Sequence, residues 1–139
     1  MKEIKFAIFE NDALFFKQAL EKYMISCISY FDTASESFYH GMMLGLLACL
    51  SQTYRITSNR ESGKGRFDIQ MEPLIDNLPT VIIELKVSKE GSEEKLKARA
   101  QEAIRQINEK QYGAGLGTGI LKYGIAFCGK DVEIETSIK

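Results

Sequence analysis

Histidine is almost missing from this chain: His40 is the only one in 139 residues. Paired-histidine catalysis and His-rich metal sites are therefore excluded. Cysteine is scarce as well. Cys27, Cys49 and Cys128 are odd in number and far apart, with no CxxC or Cys/His cluster, which argues against a disulfide framework or a structural zinc site. Neither charge dominates: 18 basic and 19 acidic residues leave a net charge of −1. A passive nucleic-acid binder held by a broad basic surface is disfavoured, while an enzyme with a local site is not. Long apolar runs are lacking too. The most apolar stretch, "GMMLGLLACL", is too short to cross a bilayer and reads as a core helix, so no membrane association is expected. The charged start "MKEIKF" is not followed by an apolar h-region, and a reducing cytoplasm is the expected location.

What is present fits one globular domain over residues 1–139, with 45% apolar and 27% charged residues and only two prolines. "KEIKFAIF" alternates briefly, as a short strand or a connector. "NDALFFKQALEKYMISCI" is helical, with Asn11 or Asp12 as cap and Leu14, Phe15, Ala19, Tyr23 and Met24 near one face. Residues 1–30 read as a helical extension and 31–139 as the core. A second helix begins near Thr33 and Glu36, which stand in capping-box spacing. Its apolar circumference makes it central, and Gly41 and Gly45 would let another backbone approach. A hairpin follows: Tyr54, Ile56 and Ser58 on one strand, the turn "ESGKG", then Phe67, Ile69 and Met71 on the return. "TVIIELKVSK" is a third strand. "GSEEKLKARAQEAIRQINEKQY" is the clearest helix, capped by Ser92 and striped by Leu96, Ala100, Ala103, Ile104 and Ile107. "GAGLGTG" precedes a strand and lacks the Lys-Ser/Thr of a P-loop, so it reads as a connection. "KYGIAFCGKDVEIETS" gives two strands around a Gly-Lys turn. The order α-α-β-β-β-α-β-β predicts an α/β fold with a mixed sheet between helices. His40 is expected to make a structural hydrogen bond, and the cysteines to be core residues.

One strand carries an oddity. In "TVIIELKVSK", Ile83, Leu85 and Val87 point to one face, so Glu84 and Lys86 point to the other. The simplest account is an ion pair on a solvated face. The preceding strand, however, carries Asp68 opposite in sense to Phe67, Ile69 and Met71. Two carboxylates brought together repel unless a cation sits between them. Two carboxylates with waters and phosphate oxygens suit magnesium. Lys86, one pleat further on, could orient a water or neutralise charge on a phosphate.

At this point the chain resembles a known family. "GRFDIQ" followed by "VIIELKV" is similar to the Asp…Glu-x-Lys pattern of the PD-(D/E)XK nuclease superfamily, the restriction-endonuclease-like fold. More specifically, "ESFYHG", "SNRESGKGRFDI", "ELK", "QINEKQY" and "GIAFCGK" occur in the order of the nuclease-like domain found C-terminal in prokaryotic AAA-ATPase-like proteins. The resemblance spans roughly residues 30–135. Phe67 stands where the motif's name has proline.

The resemblance implies a restriction-endonuclease-like core, αβββαββ with an extra N-terminal helix, acting as a metal-dependent nuclease, with DNA the expected nucleic acid. Asp68 and Glu84 would bind Mg2+ or Mn2+, helped by the carbonyl of Leu85. Glu36 would complete the metal site or serve the capping box, and both roles stay open. Lys86 would position the attacking water. Gln106 and Tyr112 resemble a Gln…Tyr element of exonuclease-type branches, with Gln106 orienting substrate or water. Arg60, Lys64 and Arg66 near the hairpin turn, with Arg99, Lys110 and Tyr112, are candidate nucleic-acid contacts, against a plain reading as solvated charge. Expected partners are nucleic acid, an ATPase domain preceding this chain in a longer parent, and a second copy in a homodimer. The competing expectation is a catalytically silent nucleic-acid-docking or regulatory module.

Overall fold

The computed structural model describes residues 2–27, 36–61, 66–109 and 119–137. Three helices come first: α1 (Lys2–Phe9), α2 (Ala13–Cys27) and α3 (Glu36–Leu47), the last running into a 3-10 turn at Ala48–Leu50. Three strands follow, β1 (Tyr54–Glu61), β2 (Arg66–Pro73) and β3 (Thr80–Val87). Helix α4 (Glu93–Glu109) then leads to β4 (Ile120–Cys128) and β5 (Asp131–Ser137). The five strands form one sheet in the order β1-β2-β3-β4-β5. All neighbours are antiparallel except β3 and β4, which α4 connects in parallel. This is the expected mixed sheet between helices, with one helix more than expected.

The extra helix is "KEIKFAIF". Its brief alternation is too short to define a strand; Ile4, Ala7 and Ile8, at i, i+3 and i+4, are buried together on one helical face. Helix α1 ends in a Schellman arrangement, with Asp12 N–H donating to the Ala7 carbonyl and Asn11 N–H to Ile8, and Asn11 in the left-handed region at φ 56°. Asp12 then caps α2 by accepting from Phe15 N–H at 3.0 Å. The buried stripe of α2 is Phe16, Leu20 and Met24. Leu14, expected on that face, is 62% exposed, because the helical phase is set by Phe16.

Helices α1–α3 cover one face of the sheet. Their buried residues form a single core with Ile69, Met71, Val81, Ile83, Leu85, Tyr123, Ile125 and Phe127. Tyr123 O–H donates to the Ile8 carbonyl, and Tyr39 stacks on Phe127 with centroids 4.5 Å apart. Helix α4 covers the other face, where Leu96 and Ala100 pack on Ala126. It starts at Ser92, whose Oγ accepts from Lys95 N–H at 3.2 Å. Covered on both faces, β3 is buried from Thr80 to Lys86.

Two smaller expectations are corrected. Gly41 and Gly45 lie on the exposed side of α3, and among the described residues nothing comes within 4 Å of a Cβ added at either. They accommodate no neighbouring backbone, since α3 meets the core through Tyr39, Met43 and Leu47 instead. Cys49 is exposed and Cys128 half-buried, because both fall at element ends rather than in the core stripes.

Candidate metal and nucleic-acid site

The charged residues of β3 are not on a solvated face. Glu84 is fully buried at 0% exposure and Lys86 is 5% exposed, both on the side covered by α4. Burying an ionised group is costly unless other charges or dipoles compensate. A simple surface ion pair does not account for such a placement.

Backbone register places Asp68 directly opposite Glu84 in the antiparallel β2–β3 ladder. Directly opposed residues share a face of the sheet. One row across the sheet therefore reads Asn59, Asp68, Glu84, Gly124 and Glu135. Lys86 begins the neighbouring row with Ala126 and Glu133. Leu85, between the two charged residues, sends its side chain into the opposite core, so only its backbone is available toward the site.

Gly124 explains how α4 comes so close. A Cβ there would collide with the Ala100 carbonyl oxygen and lie 2.9 Å from the Ala103 methyl. Only glycine lets the helix rest on the sheet at this point. The helix runs opposite to β4: Leu96 packs near Cys128, and Asn108 accepts from Lys122 Nζ at 2.9 Å. Its Glu93 and Leu96 border Asp131 and Glu133 of β5. Its other flank, with Lys95, Ala98 and Arg99, borders the segment after β3 across a cleft of about 520 Å3. Arg99, Glu102 and Gln106 continue that flank at helical spacing.

Gln106 thus lies on the flank of α4 that borders β3, and its Oε1 is buried without a hydrogen-bond partner among the described residues. Arg99 is engaged with Glu102 at 2.7 Å. Glu36 is the first residue of α3, one turn before Tyr39, which stacks at the C-terminal end of β4 and donates to the Gly129 carbonyl at 2.8 Å. Arg60 and Arg66 sit on β1 and β2 at the hairpin end, opposite Phe67 and Glu61. Lys64, Lys110, Tyr112 and the capping residue Thr33 lie outside the described residues. Sequence reasoning overlooked Gly124, although an isolated glycine inside the strand pattern "KYGIAF" signals close backbone approach. It also overlooked Glu102, whose signal was its spacing from Arg99 and Gln106.

The donor chemistry fits a hard divalent cation: a fully buried carboxylate at Glu84, a second acidic residue as its register partner, and a backbone carbonyl between Glu84 and Lys86. Among the described residues, no three His, Cys, Asp or Glu side chains form a complete cage. Magnesium, which keeps several of its waters, does not require one. Among the described residues no helix is long and apolar enough to cross a membrane.

No curated protein matches the chain. The PD-(D/E)XK nuclease superfamily does, over residues 34–137, a span running from just before α3 to the end of β5. That match, on an α/β sheet with a buried Glu-x-Lys strand register-paired to an aspartate, shows that the chain belongs to the PD-(D/E)XK nuclease superfamily.

Proposed function

We propose that this domain hydrolyses phosphodiester bonds in nucleic acid, DNA foremost, with a divalent cation held between β2 and β3. The observation that carries the reading is the pairing of Asp68 with Glu84 beside buried Lys86. Asp68 and Glu84 would hold Mg2+ or Mn2+, with the Leu85 carbonyl and Glu36 as further oxygen donors. When bound, the ion lowers the pKa of a coordinated water and withdraws charge from the phosphoryl oxygens.

Lys86, a cationic donor one pleat from Glu84, orients the water or the phosphate and offsets charge that grows on the phosphate. Water oxygen bonds to phosphorus as it gives up a proton, the bond from phosphorus to one sugar oxygen breaks, and that sugar oxygen takes up a proton. Gln106 holds water or substrate in line from α4. Arg60, Lys64, Arg66, Arg99, Lys110 and Tyr112 steer the strand through contacts that position without reading sequence.

The test is incubation with Mg2+ or Mn2+ and single- and double-stranded DNA and RNA. Cleavage that disappears in Asp68→Ala and Glu84→Ala is expected. Cleavage that survives both substitutions, or none with any substrate, would sink the mechanism. In the latter case, nucleic-acid binding without turnover would identify a docking or regulatory module.

A further inference from the structure

Glu102 stands between two polar neighbours on the β3-side flank of α4. Its Oε2 accepts from Arg99 Nη1 at 2.7 Å, and its Oε1 faces Gln106 Nε2 at 3.5 Å. The other end of the Gln106 amide, Oε1, is the buried atom that finds no partner among the described residues. A carboxylate only accepts hydrogen bonds, whereas an amide donates at one end and accepts at the other. Beside Glu102 the NH2 must therefore face the carboxylate. Turned round, two acceptors would oppose each other and the NH2 would become the orphan. An orphaned buried acceptor is costly, and such groups in folded proteins call for a water, an ion or a functional partner.

The geometry says where that acceptor is presented. Side chains of a helix lean toward its N-terminus, so Gln106 covers the turn around Ala103. Ala103 rests on Gly124, and Gly124 is the register partner of Glu84. The Gln106 amide is thus level with the acidic row, on the flank that borders β3.

We propose that Glu102 is a positioning residue that sets the polarity of the Gln106 amide, so that Gln106 meets the reacting groups as a hydrogen-bond acceptor. The orientation rests on the amide geometry; its role in turnover rests on the nuclease reading. Phosphate oxygens are themselves acceptors and cannot pair with this atom. An amide oxygen takes a hydrogen-bond donor or a cation, and the role we assign to it at the acidic row is to accept from the attacking water. Arg99, engaged by the other oxygen of Glu102, keeps the carboxylate turned toward the amide.

Neutron diffraction from deuterated crystals tests the orientation directly, because it distinguishes ND2 from O. The expected map has the ND2 toward Glu102; the reverse overturns the proposal. Kinetics test the consequence. Glu102→Ala is expected to lower kcat about tenfold with KM unchanged, a loss of the size that modest misplacement produces. Glu102→Gln, which still offers an acceptor to the amide, restores most of it. Glu102→Lys offers a donor instead, turns the amide round, and lowers kcat about a hundredfold. Thermal melts check that all three variants fold, as is expected for a part-exposed helical side chain. Equal kcat in all three, or a loss confined to KM, overturns the water-holding role. A wild-type protein that cleaves nothing, with ND2 still on Glu102, refutes the nuclease reading and leaves the orientation standing.

Discussion

Asp68 and Glu84 occupy the same rung of the β2–β3 ladder, and the Glu84 side of that rung is sealed beneath α4. Like charges directly opposite on a sheet destabilise it. Lys86 stands one pleat away on the same strand, and a cation bound at this row would offset the remaining repulsion, so that stability is conceded for chemistry.

That concession is measurable. Mg2+ or Mn2+ should raise the melting temperature of the wild-type protein, since a ligand bound only by the folded state stabilises it. Glu84→Gln should show no metal-dependent rise. Differential scanning fluorimetry with and without the cation checks both. A cation-dependent rise that persists in Glu84→Gln would place the ion elsewhere.

Lys86 separates binding from turnover. Lys86→Met keeps the buried aliphatic volume and removes the charge. Activity should fall about a hundredfold or more, as when one preorganised donor is lost from an active site. The metal-dependent rise in melting temperature should remain. Single-turnover kinetics together with melts test the pair of outcomes.

Gly124→Ala should destabilise the fold by about 1–3 kcal/mol or more, the cost of forcing volume into a packed interior. The added methyl meets helix backbone at Ala100 and Ile104, which cannot move aside as a side chain can. Urea unfolding gives the number, and Gly41→Ala on exposed α3 is the control. That substitution should be neutral or stabilising, because nothing described lies near it and alanine favours helix.

Two tyrosines should resist alkaline titration. Burial pushes the Tyr54 hydroxyl up to about 12, and burial, then the Asp12 carboxylate, raises Tyr123 further. Each donates to a carbonyl, Tyr54 to Pro79 at 2.6 Å and Tyr123 to Ile8. A raised folded-state value means the native state holds these protons more tightly than the unfolded chain. Their contribution is complete below the unfolded value of about 10 and is lost as pH climbs from there toward the folded values. In an ultraviolet absorbance titration these two should ionise late, together with unfolding.

The first two helices should be indispensable although the family match begins at residue 34. Ile4, Ala7, Ile8, Phe16, Leu20 and Met24 belong to the same core as β3 and β4. The part-buried pair of Lys17 with Glu133 at 2.7 Å adds a tie to the edge strand β5. A chain beginning at residue 31 should expose that core and lose cooperative melting, with ANS binding as a second readout.

Local pattern carried a great deal. Helix α4 was legible because its stripe of Leu96, Ala100, Ala103 and Ile107 repeats at helical spacing after a Ser92 cap. Strand β3 was legible from its start at Thr80, although it ends at Val87 rather than Lys89, and the motif order pointed to the superfamily. Helix α1 was misread because eight residues with a brief alternation do not define a period. Gly41 and Gly45 were misjudged because a glycine's spacing does not reveal whether a neighbour is present.

The sequence by itself determined which residue types lie on which strand: an acid on β2, and an acid and a base two apart on β3. Alternation of side chains across a strand is a local property, so their shared face followed from it. Only the tertiary structure decided that Asp68 lies opposite Glu84 in the ladder, since register depends on how two segments pair and a shift of one residue would separate their faces. It also decided that Glu84 and Lys86 are buried, because α4 lies on the sheet at Gly124, a contact between residues distant along the chain. Chemical identity was written locally; convergence and burial came from packing.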